Sequence, residues 1–90
     1  MIHELKLDTQ WFDAVVNGQK RLEIRRNDRD YQVGDTLILK EVERCPGGGL
    51  DYTGNEITAK VSYVLKAEDF PDGLQKGYVI LSINVAWWLD

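Results

Sequence analysis

The chain has 90 residues and a formal net charge of −4, with 43% hydrophobic and 29% charged residues. This length suits one domain with a single core, and the composition is typical of a globular protein and excludes a disordered one. No apolar run approaches the roughly 18 residues needed to cross a bilayer, so we expect no membrane partner. The negative charge argues against tight, sequence-independent binding to long duplex DNA, since such binding neutralises many phosphates.

The N-terminal end and the cysteine content predict where the protein acts. Residues 1–6 lack the basic region and long apolar stretch of a signal peptide. The single cysteine, Cys45, rules out an internal disulfide, which fits a reducing compartment. We therefore expect a cytoplasmic protein. His3 and Cys45 do not provide a metal-ligand spacing, so we expect neither a metal nor a cofactor.

The first part of the chain predicts a strand followed by a short helix. Alternation over residues 2–7 favours the strand. Asp8 or Thr9 can cap the helix, and Gly18 supplies the left-handed residue that commonly ends one. One apolar face of this helix consists of Phe12, Val15 and Val16.

After Gly18 the hydrophobic period changes from that of a helix to that of a strand. Leu22 and Ile24 alternate with charged residues, which predicts a strand whose two aliphatic side chains face the core. The opposite face of this strand would then carry Arg21, Glu23 and Arg25.

Three further strands follow. Residues 36–42 and 79–85 predict two of them, and alternating residues over 57–65 predict a half-buried third. Residues 45–55 are rich in glycine and predict a flexible loop. One short N-terminal helix and several antiparallel strands predict a single α+β, mostly β domain over residues 1–90, built as a small, mostly closed β-barrel of five or six strands. The predicted core is Leu5, Leu7, Phe12, Val16, Leu22, Ile24, Leu39, Val61, Leu81 and Ile83.

The segment 17–29 concentrates charge of both signs and holds five of the eleven Lys and Arg residues. Its arginines can present planar forks to phosphate oxygens, and Glu23 can accept a hydrogen bond from an exocyclic amine of a single-stranded base. The alternative is a surface ion-pair network worth about 0 to 1 kcal/mol. The candidate ligand-binding residues are Lys20, Arg21, Glu23, Arg25, Arg26, Asn27 and Arg29.

Strand alternation places a condition on this site. In an ideal strand Lys20 points to the face opposite Glu23 and Arg25. The three side chains converge only if the corner at Lys20 is irregular or a bulge intervenes.

Four residues of this segment resemble a known signature. Gly18-x-Lys20-x-x-Glu23-x-Arg25 matches the G-x-K-x-x-E-x-R motif of the ASCH domain, a relative of the PUA fold. Residues 31–37, Tyr-Gln-Val-Gly-Asp-Thr-Leu, resemble the aromatic-x-x-G-D-x-L segment that leads into the next strand of that family.

The chain as a whole resembles the short stand-alone proteins of bacteria and phages grouped as domain of unknown function 3850. These open with His-x-Leu-Lys and carry a Glu-Ile-Arg-x-Asn-Asp-Arg run after the helix, as this chain does at 3–6 and 23–29. The resemblance implies a PUA-like β-barrel and, by analogy, binding of single-stranded or structured RNA.

The same resemblance implies an enzyme as the alternative. Some ASCH proteins are amidohydrolases that act on acetylated cytidine, with a lysine in the same motif position, a threonine three residues later and a distant glutamate. Here the catalytic candidates are Lys20 and Glu23, and Glu23 would have to act as a general base in place of the threonine. Glu68 lies in the general part of the chain where the distant glutamate is expected. The ligand would then be of nucleoside size.

The C-terminal segment supports a third interpretation, a protein-interaction module. Residues 85–89 are unusually apolar for a chain end. Trp87 and Trp88 could mediate a homodimer or bind another protein. Alternatively, these two residues and Trp11 could stack on bases or close the core.

Overall fold

The computed structural model describes residues 1–86. Within that range the chain forms one α-helix, one 3-10 helix and five strands, and no helix long and apolar enough to cross a membrane. The predicted roles of Trp87 and Trp88 fall outside the described residues. The elements are β1 (Ile2–Asp8), α1 (Thr9–Val16), β2 (Leu22–Arg26), β3 (Thr36–Arg44), β4 (Leu50–Lys66), the 3-10 helix (Ala67–Asp69) and β5 (Tyr78–Val85).

The strands form a mixed sheet in the order β1-β3-β4-β5-β2. β1 runs parallel to β3, because α1 and β2 lie between them in the sequence and return the chain to the same end of the sheet. The other neighbours are antiparallel. β1 and β2 are the two edges, and the described backbone shows no ladder between them. The prediction of a mostly β domain with one short α-helix and five or six strands is confirmed, but the mostly closed barrel is wrong, because the mixed sheet stays open between β1 and β2.

Helix α1 begins and ends where its capping residues predict. The Asp8 carboxylate accepts a hydrogen bond from the backbone N–H of Gln10 at 3.0 Å, which satisfies a free amide of the first turn. Gly18 follows the helix with a φ of +76°, a conformation that costs glycine little. Phe12 and Val15 are buried, which confirms the predicted apolar face.

The core lies between α1 and one face of the sheet. Seven of the ten predicted core residues are buried there, and Val16 is partly buried against them. The seven are Leu5, Leu7, Phe12, Leu39, Val61, Leu81 and Ile83.

β2 turns toward the core the face opposite to the one predicted. Leu22 is 43% exposed and Ile24 56% exposed, whereas Glu23 is only 3% exposed. The reason is the register with β5, where Glu23 pairs with the buried Leu81 and Arg25 lies opposite another buried residue. Paired residues share one face of a sheet, so burial of the β5 side chains turns Glu23 inward and the two aliphatic residues outward.

β4 also departs from the sequence prediction. It begins at Leu50, so residues 50–55 form strand rather than flexible loop. Farther along, Val61 and Tyr63 pair with adjacent residues of β5, which leaves Ser62 as an extra, bulged residue. The bulge exchanges the two faces of the strand, so Tyr63 is exposed instead of continuing the buried row.

Glu41 is a buried carboxylate that joins α1 to the irregular start of β4. It accepts hydrogen bonds from Thr53 Oγ1 at 2.7 Å, Thr9 Oγ1 at 2.7 Å and Asn55 Nδ2 at 3.0 Å. These bonds, with that from Thr53 contributing most, hold the pKa of Glu41 below its usual value. The charge is thus accommodated by neutral donors.

Asp35 is a second buried carboxylate, at the turn before β3. It accepts hydrogen bonds from His3 Nε2 at 2.8 Å and from the backbone N–H of Gln32 at 3.0 Å. The hydrogen bond from His3 is the main reason why the pKa of Asp35 falls to about 2, from an ordinary value of 3.8. The contact joins β1 to the turn that leads into its neighbour.

Asp35 should make the stability of the fold depend on pH in acid. Because its pKa is lower in the folded chain, the unfolded chain binds more protons between about pH 2 and pH 4, and the stabilisation is present above this window and lost as pH falls through it. The amplitude should be about 2 kcal/mol. In urea unfolding at several pH values, Asp35→Asn should lose this dependence, and Asp72→Asn, at an exposed turn, should keep it. A pH profile of Asp35→Asn parallel to that of the wild type would contradict the assignment.

The inward face of β2 can be tested by comparing two neighbouring residues. Glu23→Ala removes a buried carboxylate that contacts two cations, Lys20 and Arg25, and should lower the free energy of unfolding by about 1–3 kcal/mol. Ile24→Ser alters an exposed side chain and should cost less than about 1 kcal/mol. Urea unfolding at neutral pH measures both. If Ile24→Ser proved the more damaging change, the strand would be inverted relative to this structure.

Candidate functional site

A cleft lies where the two open edges of the sheet approach each other. It encloses about 450 Å³ between the end of β1, the first turn of α1 and β2, a volume typical of a small-ligand pocket. Its floor is formed by Lys20, Glu23 and Arg25, and its walls include Trp11, Leu22 and Ile24.

Glu23 is the centre of the floor. The Lys20 ammonium donates a hydrogen bond to Oε2, and Arg25 donates from Nε at 3.1 Å and from Nη2 at 2.7 Å to Oε1. Each carboxylate oxygen therefore accepts from a cation, which compensates the buried negative charge. The three side chains together leave one surplus positive charge at the bottom of the cleft.

Lys20 reaches Glu23 because it lies before β2 begins. It belongs to the turn after α1, where strand alternation does not apply, and its ammonium also donates to the carbonyl of Leu22 at 2.6 Å. Of the two conditions under which the three side chains could converge, the structure meets the irregular corner at Lys20. The three residues do form an ion-pair network, but Glu23 lies inside the molecule and not on a solvated surface.

Two arginines bridge the gap between the sheet edges. Arg25 Nη2 donates to the backbone carbonyl of Lys6 at 2.7 Å, and Arg29 Nη1 donates to that of Glu4 at 3.2 Å. Both carbonyls belong to β1, an edge strand. The side chains thus occupy the position at which a neighbouring strand would pair in a closed barrel.

The remaining predicted site residues lie outside the cleft. Arg21 donates to the carbonyl of Gly18 at 2.9 Å, on the far side of Lys20. Arg26 lies over the Tyr78 ring, 5.3 Å from its centroid. Asn27 lines a different pocket, near the 3-10 helix, and Arg29 lines a groove beside the cleft.

The aliphatic walls of the cleft are the part of the site that sequence reasoning missed, since it places Leu22 and Ile24 in the core. Trp11, for which base stacking and core packing were both open, is 47% exposed. The signal for Trp11 is its position one residue before the buried Phe12. Because successive helical residues are rotated by about 100°, Trp11 lies outside the buried face of α1.

Glu68 does not approach the Lys20 cleft. It lines the pocket that contains Asn27, beside the 3-10 helix. For metals, residues 1–86 bring together no group of three or more His, Cys, Asp or Glu side chains that could hold an ion.

Comparison with known proteins places this chain in a family. Residues 2–83 match the family described as Domain of unknown function (DUF3850). The "Uncharacterized 12.9 kDa protein in GpA 3'region" of Escherichia phage P2 is 42% identical over 69 residues, which cover 77% of this chain and 59% of that protein. This chain therefore spans less than two thirds of the length of that relative.

Among solved structures, the crystal structure of hypothetical protein PH0355 is similar in fold. The two superpose with a TM-score of 0.60 at 17% sequence identity, over 96% of this chain and 100% of that one. The family match covers nearly the whole sequence, and the phage relative shares its identity across most of it. The chain belongs to the DUF3850 family.

Proposed function

We propose that the protein is an ASCH-type, PUA-like domain that binds RNA in the cleft around Lys20, Glu23 and Arg25. The observation that carries the proposal is the combination, in one cleft, of a cationic floor with exposed aromatic and aliphatic walls. The cationic floor suits a phosphate, and the aromatic and aliphatic walls suit an unstacked base.

The motif residues support the ASCH assignment because each fixed position of the motif has a distinct structural role. Gly18 adopts the left-handed conformation that ends α1. Lys20, Glu23 and Arg25 then meet in a single ion cluster. The spacing of the motif thus corresponds to one local arrangement, a turn followed by the inward face of β2.

Glu23 acts in this proposal as a positioning residue. Both of its oxygens already accept hydrogen bonds from Lys20 and Arg25, so it is engaged before any base arrives. What it supplies is orientation: the two cations are held with their polar ends at the floor of the cleft and remain partly exposed there. Donors fixed in this way lose less entropy when they bind a phosphate.

The walls favour single-stranded segments over duplex. A base stacked on an aromatic side chain contributes about 1–3 kcal/mol, and Trp11 offers such a surface beside the floor. A paired base cannot enter a pocket of this kind without leaving its helix. Loops, bulges and single strands therefore provide the suitable ligands.

The salt dependence of binding should report a small number of phosphate contacts. Three to five contacts, at about 0.7 counterions released per phosphate, give a slope of log K against log salt of roughly −2 to −3.5. Lys20→Ala and Arg25→Ala should each weaken binding across RNA sequences and reduce the slope by about 0.7. Titration of labelled RNA pools at several salt concentrations measures both quantities.

Lys60→Ala is the matched control, because it removes one positive charge from an exposed residue of β4 that does not line the cleft. It should leave the slope close to that of the wild type. Absence of binding by the wild type even at low salt, where electrostatic attraction is strongest, would refute the proposed function.

The second candidate is an amidohydrolase that acts on a modified nucleoside. One observation favours it, the direct contact of Lys20 with Glu23 in a cleft of nucleoside size. Two observations oppose it: Glu68 lines another pocket, and each Glu23 oxygen already accepts from a cation. A carboxylate engaged in this way is poorly placed to take a proton from water.

Acetylated cytidine separates the two candidates. We expect little or no release of cytidine by the wild type at high enzyme concentration, measured by chromatography. Clear turnover that Lys20→Ala abolishes and Lys60→Ala preserves would establish the enzyme instead.

A further inference from the structure

A second depression adjoins the cleft along β1. This basic groove encloses about 420 Å³, and its lining includes Lys6, Arg25, Arg29, Lys40 and Tyr52. It shares Lys6 and Arg25 with the cleft. The two depressions therefore meet at these residues, and the hydrogen bond from Arg25 to the Lys6 carbonyl lies between them.

The basic groove is positively charged, opposite in sign to the chain as a whole. Four cationic side chains and one carboxylate, that of Glu4, line it, although the whole chain carries −4. The Glu4 carboxylate lies 2.9 Å from the Lys40 ammonium, so it is compensated within the groove. Lys6 and Arg29 remain as cations at the groove, beside the Arg25 that contacts Glu23.

An exposed aromatic side chain lies on each side of the shared pair. Tyr52 is 59% exposed in the groove, and its ring centroid is 5.9 Å from Lys6 Nζ. Trp11 lines the cleft. The order along the surface is thus aromatic ring, cationic pair, aromatic ring, which matches the order base, phosphate, base along a single strand.

We infer that the basic groove is the second half of a continuous single-stranded RNA site. One base stacks at Trp11 and the next at Tyr52, the phosphate that joins them binds at Lys6 and Arg25, and Arg29 binds the following phosphate. The ligand is then an oligonucleotide of two or more nucleotides and not a nucleoside. This inference rests on the proposed function and extends it from one pocket to two.

The test compares a labelled single-stranded pentauridine with uridine 5′-monophosphate as its competitor. Tyr52→Ala should weaken binding of the pentanucleotide about fivefold or more, and Tyr52→Phe, which keeps the ring, should bind like the wild type. Where Tyr52→Ala fails to fold, as judged by circular dichroism, Tyr52→Leu keeps apolar bulk on the strand and should show the same loss. The monophosphate should compete equally well against the wild type and the Tyr52 variants, because it occupies the cleft alone.

Arg29→Ala tests the phosphate contact. It should reduce the salt slope of pentanucleotide binding by about 0.7. Lys60→Ala removes the same charge from β4, four residues beyond Glu56, the residue that pairs with Lys40. This control should leave the salt slope unchanged. If the Arg29 and Tyr52 variants bind the pentanucleotide like Lys60→Ala while Arg25→Ala loses binding, the groove is not part of the site and the proposed function stands. If the wild type binds no oligonucleotide at low salt, both are overturned.

Discussion

The buried carboxylate of Glu23 is the constraint from which the site follows. A carboxylate in the interior is costly unless cations or several donors meet it, and here Lys20 and Arg25 do so. Arg25 also donates to the Lys6 carbonyl of the opposite edge strand. One charged cluster therefore joins the turn after α1 to the inward face of β2 and to the opposite edge of the sheet.

The open edge explains why a cleft exists at all. Had β1 and β2 paired through their backbones, the carbonyls of Glu4 and Lys6 would have met a neighbouring strand, and little space would remain between the edges. Arginine side chains span the gap instead, so the junction is both polar and reachable from outside. Groups that stabilise the fold are thus the same groups that would contact a phosphate in the proposed function, so ligand binding would be coupled to the integrity of the edge.

Local signals predicted local structure well. Asp8, Gly18 and the spacing of Phe12 and Val15 predicted α1, because capping and helical periodicity act within a few residues. The face of β2 was not predictable in this way: alternation separates Leu22 and Ile24 from Glu23 but does not say which set turns inward. That choice depends on pairing with Leu81 of β5, a contact between distant parts of the chain. For the same reason the motif grouped Lys20, Glu23 and Arg25, which do meet in the structure, whereas the exposure of Leu22 and Ile24 in the walls of the cleft emerged only from the fold.

The strand order also determines when the site can exist. β2 ends at Arg26, but the strand with which it pairs, β5, begins at Tyr78 and is synthesised last among the strands described here. Contacts between such distant segments form slowly, since a long loop must close before they contribute. Until β5 is in place, Glu23 has no interior to enter and the two edges have no fixed separation. The cleft therefore requires β5, and we expect chains truncated before Tyr78 not to present it.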